Sequence, residues 1–393
     1  KYYFSVNSES YPQRDYIVRM TEECNLDCPI CLARANTADT PDLDLSKLKE
    51  LLSERRGLKV DLMAAEPTLR EDLEEWIRTV KASGSIAALH TNGLKLANRE
   101  YAEKIKAAGV DEVFLQFDGL DDEANQVLRG RPLNKARLAA LKNLRELNVA
   151  TSLIVVVARG VNEPEVARTL SFALAPENIH IREVFFLGLR MLGNHRAAAR
   201  DGAPLGESTL MPDELIDLLT TQMPSITRPD VENFNKLYFA MLSTFRVKKC
   251  LYVQHYLMVR GGPNGGTPIG QLLDLNALGR AADRYALHRP AHPTLAKAEL
   301  LASIARHGTN RHTLSMLGDL ARLEMLFSSG MNLGQVPGRF LLVGFITACD
   351  PHNFDSQVAI NCGKGEVSSD GGLIESGAVA NVLREARFDR DLG

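Results

Sequence analysis

The sequence predicts an α/β protein in which strands and helices alternate through the first half of the chain and cease to alternate after it. Three observations carry this reading. Short β-branched or apolar runs recur ahead of stretches with a 3.6-residue apolar period. The run Thr151–Ala158 is almost wholly apolar, as a strand covered on both faces of a parallel sheet must be. A Gly/Pro-containing stretch, Asp201–Ser208, closes the sixth repeat. With 393 residues, 45% of them hydrophobic and 24% charged, the chain can pack a core and is long enough for two units. We therefore expect one domain over residues 1–200 and a second, mixed and helix-rich, over 201–393.

Tyr16–Met20 is a β-branched run that ends at a cysteine-rich loop, and Leu45–Arg56 follows with helical periodicity and Ser46 as its N-cap. Leu58–Met63 leads into Ala64-Ala65-Glu66-Pro67-Thr68, after which Leu69–Ala82 reads as helix. Ile86–His90 is the third strand, closed by Thr91-Asn92-Gly93 and followed by the Arg99–Ala108 helix. Glu112–Phe117 ends in Asp118-Gly119 and precedes a helix over Lys135–Leu147. Thr151–Ala158 pairs with helix Glu163–Ala175, and Ile179–Leu189 is the sixth strand. Later helical patterns cover Asp213–Leu219, Val231–Phe245, Pro293–Ala305 and Asn310–Phe327, with apolar runs at Tyr252–Val259 and Phe340–Phe345. Gly261–Gly270 reads as a surface loop.

Forty-six Lys plus Arg against 49 Asp plus Glu leave a net charge of −3, too balanced to call for nucleic acid or an anionic membrane as partner. No apolar run reaches the roughly 20 residues of a membrane span. Small-molecule chemistry in the cytoplasm is the expectation.

Six cysteines are too few for a disulfide scaffold of this length, but Cys24, Cys28 and Cys31 crowd one short loop. That spacing suits thiolates converging on zinc or iron–sulfur. A structural zinc site wants a second Cys/His knuckle and a ferredoxin a fourth nearby thiolate, and the sequence has neither. Three ligands on a four-iron cluster would leave one iron open to a further ligand.

The C-x3-C-x2-C spacing after a short strand resembles the signature of the radical S-adenosylmethionine (SAM) superfamily. The resemblance implies a partial (βα)6 TIM-type barrel over the first domain, a [4Fe–4S] cluster on Cys24, Cys28 and Cys31, and SAM on the open iron. Ala64-Ala65-Glu66-Pro67 stands where that family has Gly-Gly-Glu-Pro. It implies that the backbone at Ala65 and the Glu66 carboxylate meet the methionine ammonium. Asn92, Gln116 and Asp118 fall where the family places polar groups for the methionine and ribose. Arg129 could fork onto the SAM carboxylate, and Val156 could offer backbone and apolar contact to adenine. Ile30 replaces a residue that is often aromatic in the family and supplies apolar contact without stacking.

Cys-Pro-x-Cys, the stretch from Glu66 to Leu73, and Asp350–Asp355 followed by Cys362-Gly363 resemble one branch of the superfamily. It holds the carbohydrate epimerase of avilamycin biosynthesis and the archaeal tetraether-lipid synthases. From this resemblance we expect an epimerase acting on a saccharide. Cys349 or Cys362 would return hydrogen, His352, Asn353 and Asp355 would bind substrate hydroxyls, and flavodoxin or ferredoxin would supply electrons. Arg182 and Glu183 are further candidates for the barrel interior. A C–C-bond-forming or methyl-transferring enzyme on a lipid or pterin is the alternative, weakened because Cys250, Cys349 and Cys362 alone cannot make a four-thiolate auxiliary cluster. A non-catalytic iron–sulfur protein is the third reading.

Overall fold

The computed structural model describes residues 6, 11–36, 41–195, 208–261, 265–307, 337–347, 349 and 354–391. In the first half the elements are β1 (Asp15–Arg19), α1 (Leu45–Glu54), β2 (Lys59–Met63), α2 (Leu73–Ala82), β3 (Ile86–Thr91), α3 (Arg99–Ala108), β4 (Glu112–Gln116), α4 (Asp122–Arg129), α5 (Asn134–Glu146), β5 (Ala150–Val157), α6 (Glu165–Leu174) and β6 (Ile181–Gly188). β1 to β6 run side by side and parallel, in sequence order. Their outward and inward apolar residues pack against helices or each other. Val18, Val60, Leu62, Leu89, Leu115 and Leu153 are all buried, each contributing roughly 1.5–3 kcal/mol by leaving water.

Local chemistry moves several boundaries from where periodicity put them. Asp44, not Ser46, caps α1, its carboxylate accepting from the Ser46 N–H at 2.7 Å. Pro67–Leu69 forms a separate 3-10 turn, because Arg70 is extended and breaks the helix before Leu73. α4 was not legible as a helix. It is only eight residues long, started by the Asp121 side chain and ended by Gly130 at φ 81°.

The second half holds α7 (Pro212–Gln222), α8 (Arg228–Thr244), β7 (Val253–Arg260), β8 (Gly266–Pro268), α9 (Leu275–His288), α10 (Pro293–His307), β9 (Phe340–Ile346), α11 (Ser356–Ile360), β10 (Lys364–Val367), β11 (Leu373–Ile374) and α12 (Gly377–Asp391). The strand order is β11-β10-β1-β2-β3-β4-β5-β6-β9-β7-β8. Residues 201–393 therefore extend the first-half sheet at both edges instead of building a sheet of their own. β9 continues it in parallel next to β6, β7 and β8 follow antiparallel, and β10 pairs in parallel with β1. The stretch expected as a surface loop before Gly270 contains β8, which closes a hairpin with β7. The helix expected over Asn310–Phe327 lies outside the described residues.

The two edges of the sheet come back together. A Cβ on Gly363, just before β10, would stand 2.5 Å from the backbone N of Cys250, just before β7. Only glycine permits that approach. Lys249 adds an ion pair to Asp15 of β1 at 2.9 Å. The sheet thus curls around an interior, and alternate residues of its strands face into it.

Candidate functional site

Cys24, Cys28 and Cys31 sit in the loop that leaves the C-terminal end of β1. Asn36 braces it by accepting from the Cys24 N–H at 2.9 Å and donating to the Cys24 carbonyl at 3.1 Å. The chain beyond β6 clamps it from the other side. Asn194 donates to the Cys31 carbonyl through its N–H and to the Cys28 carbonyl through Nδ2, at 2.9 and 3.1 Å. The three thiols share one apolar pocket with Leu26, Leu94 and Leu133. The Leu26 N–H points at Cys24 Sγ and the Ala35 N–H at Cys31 Sγ, each at 3.4 Å.

Burial pushes the Cys24 thiol up to about 12 and raises Cys28 as well. Binding soft, thiophilic iron would displace those protons. Among the described residues no three Cys, His, Asp or Glu side chains are placed to hold a single ion. In a four-iron cluster each thiolate binds its own iron. Three thiols lining one pocket, two of them receiving N–H···S bonds, fit that donor set.

Glu66 follows β2 and is buried. Its Oε1 accepts from the Thr68 N–H (3.2 Å), Thr68 Oγ1 (2.6 Å) and Thr91 Oγ1 (2.7 Å), and its Oε2 from the Asn92 N–H (2.7 Å). Burial still raises its pKa above the usual range. Oε2, with a single donor, keeps capacity for an ammonium. Ala64 and Ala65 lie at φ 78° and 28°, the left-handed conformation that glycine adopts without strain. The two alanines therefore hold the backbone shape of a Gly-Gly pair at a cost. Asn92 joins this group to the cysteines, its Nδ2 lying 2.8 Å from Asn25 Oδ1 and 3.9 Å from Cys24 Sγ.

Asp118, Gln116, Arg129 and Val156 come together, but largely on one another. Arg129 Nε and Nη2 fork onto Asp118 at 2.7 and 2.9 Å, so the guanidinium expected to meet a ligand carboxylate is engaged by one of the protein's own. Burial raises the Asp118 carboxyl, yet Arg129 and Arg137 hold it below the usual range. Gln116 bonds to both Asp118 and Arg137. The Val156 N–H donates to Asp118 and its carbonyl accepts from Asn162, leaving the side chain as its free offer. That side chain packs with Ile30, Leu128, Ala158 and Leu189 into an apolar patch. Arg129 also bonds to the Cys28 thiol, tying the network to the cysteine loop.

Inside the curled sheet lies a cavity of ≈ 340 Å³. Ile17, Phe114, Ile154, Phe185, Leu187 and Leu342 are among the apolar residues of its wall. Cys250, Cys349 and Cys362 all line it. Cys349 and Cys362 pack together with Ala359 and Ala378, while burial and the neighbouring Cys362 raise the Cys250 thiol. None of Cys24, Cys28 and Cys31 lines the cavity. Leu187 connects the two places, since it lies on the cavity wall and against the patch of Ile30 and Val156.

The candidate substrate residues fare unevenly. Asp355 Oδ1 is spent on capping α11, accepting from the Gln357 and Val358 N–H groups at 2.8 and 3.2 Å. His352 and Asn353 lie outside the described residues. Glu183 faces the cavity and accepts from Ser152 Oγ at 2.7 Å, and burial lifts its pKa to about 7. Arg182, one residue earlier, is absent from the cavity wall.

Sequence reasoning missed the charges beside Glu183. Lys59 pairs with Glu112, Lys364 with Asp61, and His90 with Asp61 at 3.4 Å, while His90 stacks on Phe114 at 4.3 Å. The available signal was Asp61 and Glu112, charged residues in strands that are otherwise apolar.

Residues 18–173 match the sequence model of the Radical SAM superfamily, so the chain carries a radical SAM domain, whose cofactors are a [4Fe–4S] cluster and SAM. The chain is 33% identical over 174 residues to 7,8-dihydro-6-hydroxymethylpterin dimethyltransferase of Methanocaldococcus jannaschii, covering 42% of this chain and 34% of that protein. It is 28% identical over 165 residues to a probable GTP 3′,8-cyclase of Pyrococcus abyssi, covering 41% and 53%. Among solved structures, Streptococcus suis SuiB bound to S-adenosylmethionine aligns with TM-score 0.44 at 16% identity, covering 58% of this chain and 56% of that one. The chain thus spans about a third to a half of the curated relatives it matches. Among the described residues no helix is long and apolar enough to cross a membrane.

Proposed function

We propose that the chain is a radical SAM enzyme that removes hydrogen from a carbon of a small molecule in the barrel cavity and returns hydrogen from Cys349 or Cys362. The net reaction is an epimerisation, with a carbohydrate as the substrate class. The observation that carries it is the pair of thiols packed together on the cavity wall. When bound, the cluster and SAM supply hydrogen abstraction. The chain's own residues do the rest. Glu66 Oε2 accepts from the methionine ammonium, and Ile30, Val156 and Leu189 cover the adenine. A thiol's S–H bond is weaker than C–H, so hydrogen passes from sulfur to a carbon radical. The thiyl left behind is reset by one electron and one proton, the electron coming from an external carrier such as flavodoxin or ferredoxin.

The test is turnover in deuterium oxide with a glucose-containing oligosaccharide. One deuterium at an inverted carbon, lost in Cys349→Ala or Cys362→Ala, supports the reading. Production of 5′-deoxyadenosine with neither inversion nor deuterium sinks it.

A second reading is favoured by the convergence of Cys250 on the same wall and by the likeness to a pterin dimethyltransferase. Three thiols there could hold an auxiliary cluster serving C–C bond formation or methyl transfer on a pterin or lipid. Iron analysis separates the two. About four irons per chain fits the epimerase and about eight fits the auxiliary cluster.

A further inference from the structure

At the N-terminal end of β6, away from the cysteine loop, a cluster of basic residues stands without acids among the described residues. His180 precedes the strand and is only 3% exposed, its ring beside the Leu141 backbone. Arg182 is part-buried, and its Nε and Nη1 are both buried without an acceptor. Arg260, the last residue of β7, turns two nitrogens onto the Ala173 and Ile181 carbonyls and leaves Nε buried and unmatched. Among the described residues no Asp or Glu pairs with either arginine.

Buried donors without acceptors are costly, and two guanidinium groups side by side add repulsion. The local titration behaviour follows from that. Burial, with Arg145, Arg182 and Arg260 nearby, lowers His180 to about 4, so its ring is neutral and can donate one N–H. Burial and Arg182 lower Arg260 to about 10, and burial alone depresses Arg182. Among the described residues no carboxylate offsets these costs, whereas an oxyanion would satisfy the unmatched guanidinium N–H groups.

We propose that His180, Arg182 and Arg260 form a binding site for a phosphate group, free or carried on a small metabolite. Three donors lack an acceptor there, Arg182 Nε and Nη1 and Arg260 Nε, with the His180 ring beside them. The site is separate from the barrel cavity, because none of His180, Arg182 and Arg260 lines that cavity. It does not depend on the reaction proposed above.

The test is thermal unfolding of the reconstituted full chain with inorganic phosphate, with glycerol phosphate, and with sodium chloride at matched ionic strength. Wild-type protein should gain a few °C, saturably, with phosphate or its ester but not with chloride. Arg182→Gln should lose the shift, and Arg182→Lys, which keeps charge but not the fork, should need about tenfold more ligand. Arg182→Gln removes an unmatched buried charge, so it should fold at least as well as wild type without phosphate. Equilibrium dialysis with labelled phosphate gives a second readout, about one bound per wild-type chain and none on Arg260→Gln. A tighter ester than free phosphate identifies a metabolite as the source, and equal affinity identifies the free anion. A wild-type shift no larger than that of chloride overturns the site. So does a shift that survives Arg182→Gln, or one abolished by Lys249→Gln, which would put the anion in the cavity.

Discussion

Cys24, Cys28 and Cys31 belong to one short loop, held by local partners such as Asn36 and clamped by Asn194. Cys250 lies about a hundred residues before Cys349 and Cys362, and joins that pair because the sheet curls and Gly363 lets its edges touch. The first trio has the spacing of a ligand set. The second acquires any role it has from the cavity around it. Spacing alone can therefore specify a metal centre, whereas a radical-quenching thiol needs an enclosed space and a neighbour.

Cys28→Ala should have the largest effect. It removes a ligand that no other thiol in the loop replaces, so iron binding and production of 5′-deoxyadenosine should both vanish, as read by iron analysis and chromatography. Retained iron and activity would erase the distinction between the trios. Asp118→Asn should come next. It leaves Arg129 and Arg137 without their shared carboxylate and should destabilise the chain by about 3 kcal/mol in denaturant unfolding. A change near zero would mean that the first trio does not rely on this network.

Glu183→Gln tests the cavity beside the second trio. The folded carboxyl titrates near 7, above its unfolded value of 4.5. Below about pH 4.5 both states hold the proton. Between there and pH 7 only the unfolded chain releases it, so stability should fall by up to about 3 kcal/mol and then level off. Lys59, Glu112 and Lys249 face the same carboxyl and are all retained in the variant. The wild-type minus variant difference should therefore isolate Glu183, and unfolding at pH 5 and pH 8 measures it. A flat difference would mean that the carboxyl is solvated. The smallest effect is expected at Ala64, held at φ 78°. Ala64→Gly relieves the strain but adds backbone entropy to the unfolded chain, for a net gain below about 1 kcal/mol in denaturant unfolding. A loss would place the cost of the alanine elsewhere.

Legibility in the sequence followed range. The strands β1 to β6 were found within a residue or two, because alternation and apolar runs are local signals. The α3 bounds were read outright. Glu66 and Asn92 come near the cysteine loop because they leave β2 and β3 at the same end. The roles of Arg129 and Asp355 were not legible. Arg129 is engaged by Asp118, which lies across a helix and a turn, and Asp355 by the backbone of the short helix it caps. Glu183 looked like the wrong end of a strand until β6 was seen to send residues 183, 185 and 187 into one cavity.

By itself the sequence determined the βα alternation and the three-thiol loop, since both are written in spacings of a few residues that the backbone period converts directly into geometry. Only the tertiary structure decided that strands β7 to β11 extend the same sheet, that Cys250 shares a wall with Cys349 and Cys362, and that Arg182 and Arg260 gather beside His180 with no acid among the described residues. Those outcomes depend on strand order, register and closure, which bring together residues whose separation along the chain carries no record of their distance in space.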